Sequence, residues 1–559
     1  VGVIAQPDWR AREDFMVLGE PRLFFGVSSG VVDSMVNHYT PAKKPRSHDS
    51  YSEGGVRKRP DRATIVYADL IHASYPNTPI VLGGVEASLR RFAHYDYWDD
   101  RVRQSVLADA PADLLVYGMG ETQVVEVARR LEAGAGSRGL EGIRGTCHTV
   151  PVREWRASPL LGVVELPTYS EVATKKETYA KAFALHSREQ NPFHGKTVVQ
   201  PHPKTVVVGN PPAFPLTQRE MDRVYALPFS RRSHPSYLKP IPALDPVRFS
   251  ITSHRGCFGA CAFCAITHHQ GRVIQSRSAA SIMSEVARLT RMPDFFGTIQ
   301  DIGGPTANMF GTTCSQWQKK TTCPDRACSP SCPGLDLHAG HHRHLAMVRE
   351  ASALPGVKKV VISSGLRYDL IPVDDSGYLE EICTHHISGH LKVAPEHIAA
   401  PVLSLMGKAG PQAFLDLLVR VEAIKKKRGL HLYPLPYFMA GHPGCTIADM
   451  VTLAEFIRDH QIYTEQVQDF TPTPMSSSTC MYHTGLDPAT MAPVHVPKGD
   501  EKRFQRALLH YRDPKNFPLV REGLRRAGRE DLIGTSWNCL VPPSMTDRRT
   551  DRYARVAPP

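Results

Sequence analysis

SHRGCFGACAFC, running from Ser253 to Cys264, carries three cysteines, Cys257, Cys261 and Cys264, in the spacing CxxxCxxC. The segment follows a strand-like stretch, Arg248–Thr252, and Phe263 stands just before the last cysteine. Gly256 and Gly259 give the chain ahead of and between the thiols the freedom of a tight loop. Such a loop can wrap an inorganic core. Iron–sulfur clusters take thiolate ligands, usually four. Three local ligands leave one iron open to a small molecule, which a catalytic cluster requires. Zinc is the rival: its sites more often pair CxxC units with a further Cys or His. His254, His268 and His269 lie near enough in sequence to supply that ligand.

The surrounding chain favours metal over disulfides. At 559 residues it is too long for one ordinary core, so two or three domains are expected. Apolar content of 42% with 22% charged residues describes a folded globular protein rather than a disordered one. There is no unbroken apolar run of about 18 residues, so no membrane span is expected. The opening VGVIAQPDW is no basic-then-apolar signal, and a cytoplasmic location follows. The missing initiating methionine is read as a short absent N-terminal piece. Of twelve cysteines, three fall in the motif and four more lie between 314 and 332. The others, Cys147, Cys383, Cys445, Cys480 and Cys539, are far apart. A reducing cytosol would not keep disulfides, so clustered cysteines there point to metal.

The formal charge of +12 has two readings, a polyanionic partner such as RNA or a solvated basic surface. The cations are scattered. Lys43, Lys44, Arg46, Arg57, Lys58, Arg59 and Arg62 share one loop, and Arg548, Arg549, Arg552 and Arg555 a terminal tail. Charge alone selects neither.

Outside the motif, strand-like and helix-like segments alternate, the pattern of a parallel sheet flanked by helices. In the first 150 residues RLFFGV (Arg22–Val27), PIVLG (Pro79–Gly83) and DLLVY (Asp113–Tyr117) read as strands. Helices are expected near Val31–Tyr39, over Arg62–Ser74 and over Thr122–Glu132. The strand ends LGG and YGMG are where such folds usually bind ligands. Residues 151–245 read as a connecting region, with paired short strands at Thr197–Gln200 and Thr205–Val208. From Arg248 six more strands are expected: Arg248–Thr252, Gly297–Ile302, Lys358–Ser363, His390–Val393, His431–Phe438 and Glu465–Phe470. With crossover helices they make an open, partial (β/α) barrel over 246–475, whose strand ends carry the chemistry. The remaining residues, 476–559, form a small extension with helices at Asp500–Arg512 and Leu519–Arg525.

CxxxCxΦC at the end of a first barrel strand is the signature of the radical S-adenosylmethionine (SAM) superfamily. HRGCFGACAFCAITHHQGRVIQSRS, DIGGPTANM, LKVAPEH, YFMAGHPGCT and DFTPTPMSSSTCMYHTGLDP closely resemble the YgiQ-type radical SAM proteins, over essentially the whole chain. The resemblance implies an α/β fold: a Rossmann-like, cobalamin-binding-like domain, a partial (β/α)6 radical SAM barrel and a helical C-terminal extension. It implies that Cys257, Cys261 and Cys264 ligate a 4Fe–4S cluster whose fourth iron is chelated by SAM. Reduction would then cleave SAM to methionine and a 5′-deoxyadenosyl radical that takes a hydrogen from substrate. Gly303 and Gly304 match the glycine pair that meets the SAM amino group, with Pro305 where the family usually has Glu, so a backbone contact is expected. Ser363, Ser364 and Arg367 are expected at the ribose or carboxylate, Arg by bidentate pairing, and Glu396 at the ribose hydroxyls. Gly441–Thr446 (GHPGCT) resembles a loop lining the SAM site, with Cys445 there as packing. VLGGVEAS and LLVYGMGE look like cobalamin-domain strand ends, but a DxHxxG histidine is not evident, so cobalamin is not expected. An electron donor of flavodoxin or ferredoxin type is implied.

Cys314, Cys323, Cys328 and Cys332, in CSQWQKKTTCPDRACSPSC, form a second group on a polar segment broken by Pro324 and Pro330. Free structural cysteines are usually buried among apolar residues, so this loop reads as a ligand set for an auxiliary iron–sulfur cluster or a four-thiolate zinc. Three functions stay open. One is a radical SAM enzyme of unassigned substrate; another is an RNA-modifying enzyme, since several motifs resemble radical SAM methylthiotransferases; the third is a non-catalytic iron–sulfur regulator or scaffold.

Overall fold

Three apolar runs near the N-terminus form β1 (Phe25–Val27), β2 (Ile80–Leu82) and β3 (Leu114–Val116), paired parallel in chain order. β2 and β3 are continuously apolar and buried throughout because both their faces are covered, whereas Gly26 of β1 is exposed. Ile80 and Leu82 face a core with Tyr67, Ala68 and Ile71 of the helix Ala63–Ser74. Val81, Leu114 and Val116 face the other way, against Val127 and Leu131 of the helix Glu121–Glu132. This is the expected crossover arrangement. A computed structural model carries the description, which covers residues 1–323, 328, 332–372, 374–462 and 467–544.

The sheet does not end with β3. It continues through β4 (Thr146–Pro151), β5 (Val164–Glu165), β6 (Val198–Pro201) and β7 (Thr205–Gly209), giving seven strands in the order β1-β2-β3-β4-β7-β6-β5. β3/β4, β4/β7 and β6/β7 are antiparallel, and β5/β6 is parallel. The expected parallel sheet therefore holds for its first three strands, and the rest is mixed. For β6/β7 the reason is local: the short turn between them leaves no room for a crossover, so that pair must be antiparallel.

Two compact units divide the chain. One comprises Val1–Gly365, Leu370–Ile387 and Thr471–Met491; the other comprises Leu366–Asp369, Ser388–Phe470 and Ala492–Pro559. Within the first, β8 (Ser250–Thr252) pairs parallel with β10 (Asp301–Gly303), and β9 (Thr298–Ile299) pairs parallel with β11 (Lys359–Val360). Only Gln300 separates β9 from β10. Within the second, β12 (His390–Glu396), β13 (Tyr433–Ala440) and β14 (Val467–Asp469) form a parallel three-stranded sheet. Every strand expected from Arg248 onward is present, and each pairing among them is parallel, as a (β/α) architecture requires. Glu465, at the start of the last expected strand, lies outside the described residues, as do Arg548, Arg549, Arg552 and Arg555. The C-terminal helices form at Asp500–Leu509 and Phe517–Arg526. Among the described residues no single helix is long and apolar enough to cross a membrane; Ala400–Met406 and Pro411–Arg428 pass that test only as a pair bent by 100°.

β8 is braced by charge. Arg231 donates to the carbonyls of Arg248 and Ser250, at 2.9 and 2.7 Å, and Arg277 donates to that of Thr252 at 2.9 Å. Both guanidinium groups meet Glu285 on the helix Ala279–Leu289, the Arg277 contact at 2.5 Å. All three side chains are largely or wholly buried. Removing the shared carboxylate would leave two cations without compensation inside the protein, which typically costs about 3–5 kcal/mol. Glu285→Ala is accordingly expected to lower stability by about that amount in urea titration. A loss under about 1 kcal/mol, the range of an exposed ion pair, would show that the clasp does not hold β8.

Candidate functional site

The thiol loop leaves the sheet at the end of β8. Ser253 donates to the Gly303 carbonyl through both its backbone N–H (2.7 Å) and its hydroxyl (3.1 Å). His254–Arg255 then pairs antiparallel with Gln275–Ser276, which closes the segment between them into one loop. Gly256 sits at φ +88°, and a Cβ there would lie 2.2 Å from the Val273 carbonyl oxygen, so only glycine fits. Inside the loop the Cys257 N–H donates to Gly271 at 3.1 Å and the Cys264 N–H to Cys261 at 3.0 Å. From outside, the Ser478 N–H donates to the Ala262 carbonyl at 2.9 Å, at the start of the helix Ser477–Thr484. The three cysteines are half-buried on this frame.

No group of three or more His, Cys, Asp or Glu among the described residues is gathered at a single metal position. The fit to a cluster rests on the donor set instead: three thiols on one closed, partly accessible loop, the ligand chemistry of iron–sulfur centres. Two of the three histidines that could serve zinc meet a hydroxyl through Nδ1. His254 is buried with Nδ1 2.9 Å from the Ser253 hydroxyl, and His269 Nδ1 lies 3.2 Å from the Ser88 hydroxyl. Burial holds His254, His268 and His269 each down to about 4, so all three are neutral imidazoles near pH 7.

Beside the loop, β10 ends in Gly303 and Gly304. A Cβ at 303 would stand 1.9 Å from the Ser364 hydroxyl oxygen, and one at 304 would stand 2.7 Å from the His254 ring. Neither position tolerates a side chain. Asp301, a residue the motif reading passed over, accepts at Oδ1 from the N–H of Ser363 (2.8 Å), the N–H of Ser364 (3.2 Å) and the Ser364 hydroxyl (3.1 Å). A carboxylate at the start of a buried strand was the available signal. The glycine pair, Ser363 and Ser364 are thus drawn together at one strand end.

In the other unit, Arg367 forms a bidentate pair with Asp369, at 2.7 and 2.6 Å, so its guanidinium already serves one carboxylate. Burial would raise Asp369, but Arg367 and Lys408 outweigh it and hold the carboxyl below its usual range. Glu396 is a buried non-glycine residue at φ +66°, where the β12/β13 register shifts. Left-handed backbone at a bulky residue stores strain and recurs at functional sites. Burial raises the Glu396 carboxyl, against Lys408 Nζ 4.0 Å away. Within GHPGCT, Cys445 is buried 3.6 Å from His397 Nε2, and Gln505 ties the loop by accepting from the Gly441 N–H and donating to the Cys445 carbonyl, at 2.9 and 2.8 Å.

Two cavities adjoin the thiol loop. A cleft opens at the end of β3, lined by Tyr117, Gly118 and Gln275 and by His268, His269 and Arg272 from the segment just after Cys264. Sequence reading named its YGMG edge and missed the facing wall, which stands some 150 residues along the chain. The other, smaller one is lined by Cys314, Cys323, Cys328 and Cys332 together with Phe258, Trp317 and Arg272.

Comparison with known proteins gives the following. The family model described as "Radical SAM N-terminal" matches residues 1–250, and one described as a domain of unknown function matches residues 465–557. The chain is 50% identical to the UPF0313 protein of Methanosarcina mazei, over 98% of this chain and 93% of that one. It is 52% identical to the UPF0313 protein of Geobacter sulfurreducens, over 95% and 88%. Among solved structures, the radical SAM methyltransferase TsrM from Kitasatospora setae, with cobalamin and a [4Fe-4S] cluster bound, aligns at TM-score 0.45 and 15% identity, over 85% of this chain and 70% of that one. The cobalamin-dependent radical enzyme OxsB, with aqua-cobalamin and SAM bound, aligns at TM-score 0.45 and 10% identity, over 98% and 60%. Both of those proteins bind cobalamin, so the expectation that this chain does without it draws no support from them.

The buried imidazoles give the region a pH signature. His254, His268 and His269 fall from 6.5 to about 4 on folding. Between those values the unfolded chain binds more protons than the folded one. Stability is therefore complete above pH 6.5 and declines as pH falls toward 4, by at most about 2 kcal/mol per histidine at pH 5. Urea midpoints from pH 7 to 5 are expected to drop, and less steeply in His269→Gln. A midpoint flat across that window would contradict the buried neutral state.

Proposed function

We propose that this chain, which belongs to the UPF0313 family, is a radical SAM enzyme that binds a 4Fe–4S cluster through Cys257, Cys261 and Cys264. One observation carries the reading. Thr252 and Gly303 are register partners on adjacent parallel strands, so the thiol loop and the glycine pair leave the sheet side by side. A cluster held by three thiols and a small molecule held by exposed backbone at the next strand end would then meet. The match of residues 1–250 to a radical SAM N-terminal domain supports the same reading.

In this scheme the cysteines hold three irons as thiolates, and the backbone around Gly304 meets the SAM ammonium. The Gly303 carbonyl is less suited, because Ser253 already occupies it twice. Asp301 keeps the Ser363–Ser364 turn against the glycine pair, and so acts as a positioning residue. A cluster held by Cys257, Cys261 and Cys264 would supply the electron for reductive cleavage of SAM to methionine and a 5′-deoxyadenosyl group. That electron would come from a reduced flavodoxin- or ferredoxin-type donor. The cleft lined by Tyr117, His268, His269 and Arg272 is the candidate substrate pocket, since one wall is the segment that follows Cys264. Its histidines, neutral near pH 7, offer hydrogen bonds without charge.

The test is 5′-deoxyadenosine formation by anaerobically reconstituted protein given SAM and dithionite. Wild type is expected to form it, and Cys261→Ala to lose it below detection. Asp301→Asn is expected to raise the KM for SAM about tenfold, the cost of about 1.4 kcal/mol of positioning. Absence of product from wild type with a reducible cluster in place would refute the reading.

A further inference from the structure

The second cysteine group is built as a site, and it stands apart from the reading above. Cys314, Cys323, Cys328 and Cys332 line a single cavity. Buried cysteines elsewhere are inserted singly: Cys147 into the core of the seven-stranded sheet, Cys480 into an aromatic cluster with Tyr95 and Tyr179. Such placement is what a small apolar side chain does when it only packs. Four thiols lining one cavity on a polar segment need another reason.

Local structure anchors the two ends of the group. Thr313–Cys314 pairs antiparallel with Leu335–Asp336, and the Ser315 N–H donates to the Gly334 carbonyl at 2.9 Å. A Cβ on Gly334 would lie 3.6 Å from Cys314 Sγ and 3.8 Å from Cys332 Sγ, so both sulfurs flank the same point of backbone. Arg272 lines the same cavity and supplies positive charge, which suits a centre that four thiolates make net negative.

The cavity also reaches the first thiol loop. Its wall includes Phe258, the residue after Cys257, and Phe258 lies 6.0 Å from the Trp317 ring. Phe258, Cys257, Trp317 and Cys328 belong to one apolar cluster with Ile274 and Met309. We propose that Cys314, Cys323, Cys328 and Cys332 ligate a second metal centre of four thiolates, seated against Phe258 behind the loop that carries Cys257, Cys261 and Cys264. The sulfurs line the cavity without meeting at one point, and binding draws them together, as in sites whose ligands assemble with the ion.

Metal analysis of the anaerobically purified full chain tests this. A Cys257→Ala/Cys261→Ala/Cys264→Ala variant is expected to keep either about four irons, a cluster, or about one zinc, a tetrahedral ion. Adding Cys323→Ala and Cys328→Ala should remove that metal. Alkylation of wild type followed by peptide mass spectrometry gives a readout without any variant. Cys314, Cys323, Cys328 and Cys332 should resist iodoacetamide until a chelator is added, with reductant present throughout to exclude disulfides. A folded triple variant with only trace metal, or four cysteines that alkylate freely in the untreated protein, would overturn the proposal. Equal metal in wild type and the triple variant would count against the first cluster and leave the second standing.

Discussion

The arrangement of the candidate site hangs on the parallel pairing that sets Thr252 beside Gly303. Two adjacent parallel strands release their following loops at the same edge, so register alone decides which residues of the two loops become neighbours. Here the register is enforced by exclusion as much as by hydrogen bonds. The space a Cβ would need at Gly303 belongs to Ser364, and the space at Gly304 belongs to His254. A slip of one residue would drive Ile302 or Pro305 into those places. Asp301 then fixes the third strand end through Ser363 and Ser364, with its carboxylate turned to backbone N–H groups. One side-chain carboxylate and two missing side chains thus bring three strand ends into one geometry.

The seven-stranded sheet meets this edge through contacts that its own sequence disguises. VLGGVEAS and YGMGE sit where α/β folds bind ligands. In this chain part of that edge is filled by the segment after Cys264. The Ser88 hydroxyl accepts from the Gly118 N–H at 3.1 Å and lies 3.2 Å from His269 Nδ1. Gly118, at φ +77°, would place a Cβ 3.1 Å from the His269 carbonyl oxygen. Glu121, first residue of the helix after β3, pairs at 2.5 Å with Arg255, two residues before Cys257. The glycines at these turns therefore serve a close approach of two backbones, and the cleft lies beside that approach.

How far this could be read from sequence depended on the range of the interaction. Strands with a local cause were legible: six in the second half, three in the first and the β6–β7 hairpin all follow from apolar runs bounded by Gly, Pro or polar residues. The closed thiol loop was equally legible, because its three cysteines and the strand before them are local in sequence. What could not be read was the sheet beyond β3, where β4 and β7 pair across some 60 intervening residues and carry no periodicity that fixes their direction. The role of Asp301 was hidden for the same reason, since its partners stand 62 and 63 residues away. Arg367 has a local partner that the motif reading did not name. Its family position suggested a ligand for SAM, while the nearest carboxylate, Asp369, is two residues along the chain and already holds it.

Charge sets the remaining constraint on the thiol loop. An anionic centre in a protein interior needs compensation, because removing charge from water is costly unless it is paired. The imidazoles around the loop cannot provide it, since burial keeps His254, His268 and His269 neutral near pH 7. Arg255 is largely spent on Glu121. Near the loop stand the N-terminal end of the helix Ser477–Thr484, whose Ser478 N–H donates to the loop at Ala262, the buried Arg91 beside His268 and His269, and Arg272. Arg272 lines both the cleft beside His268 and the cavity of the four cysteines. A single guanidinium between two thiol-bearing regions couples their electrostatics, so a change of charge in one is felt in the other. That coupling follows from the position of Arg272 between the two regions.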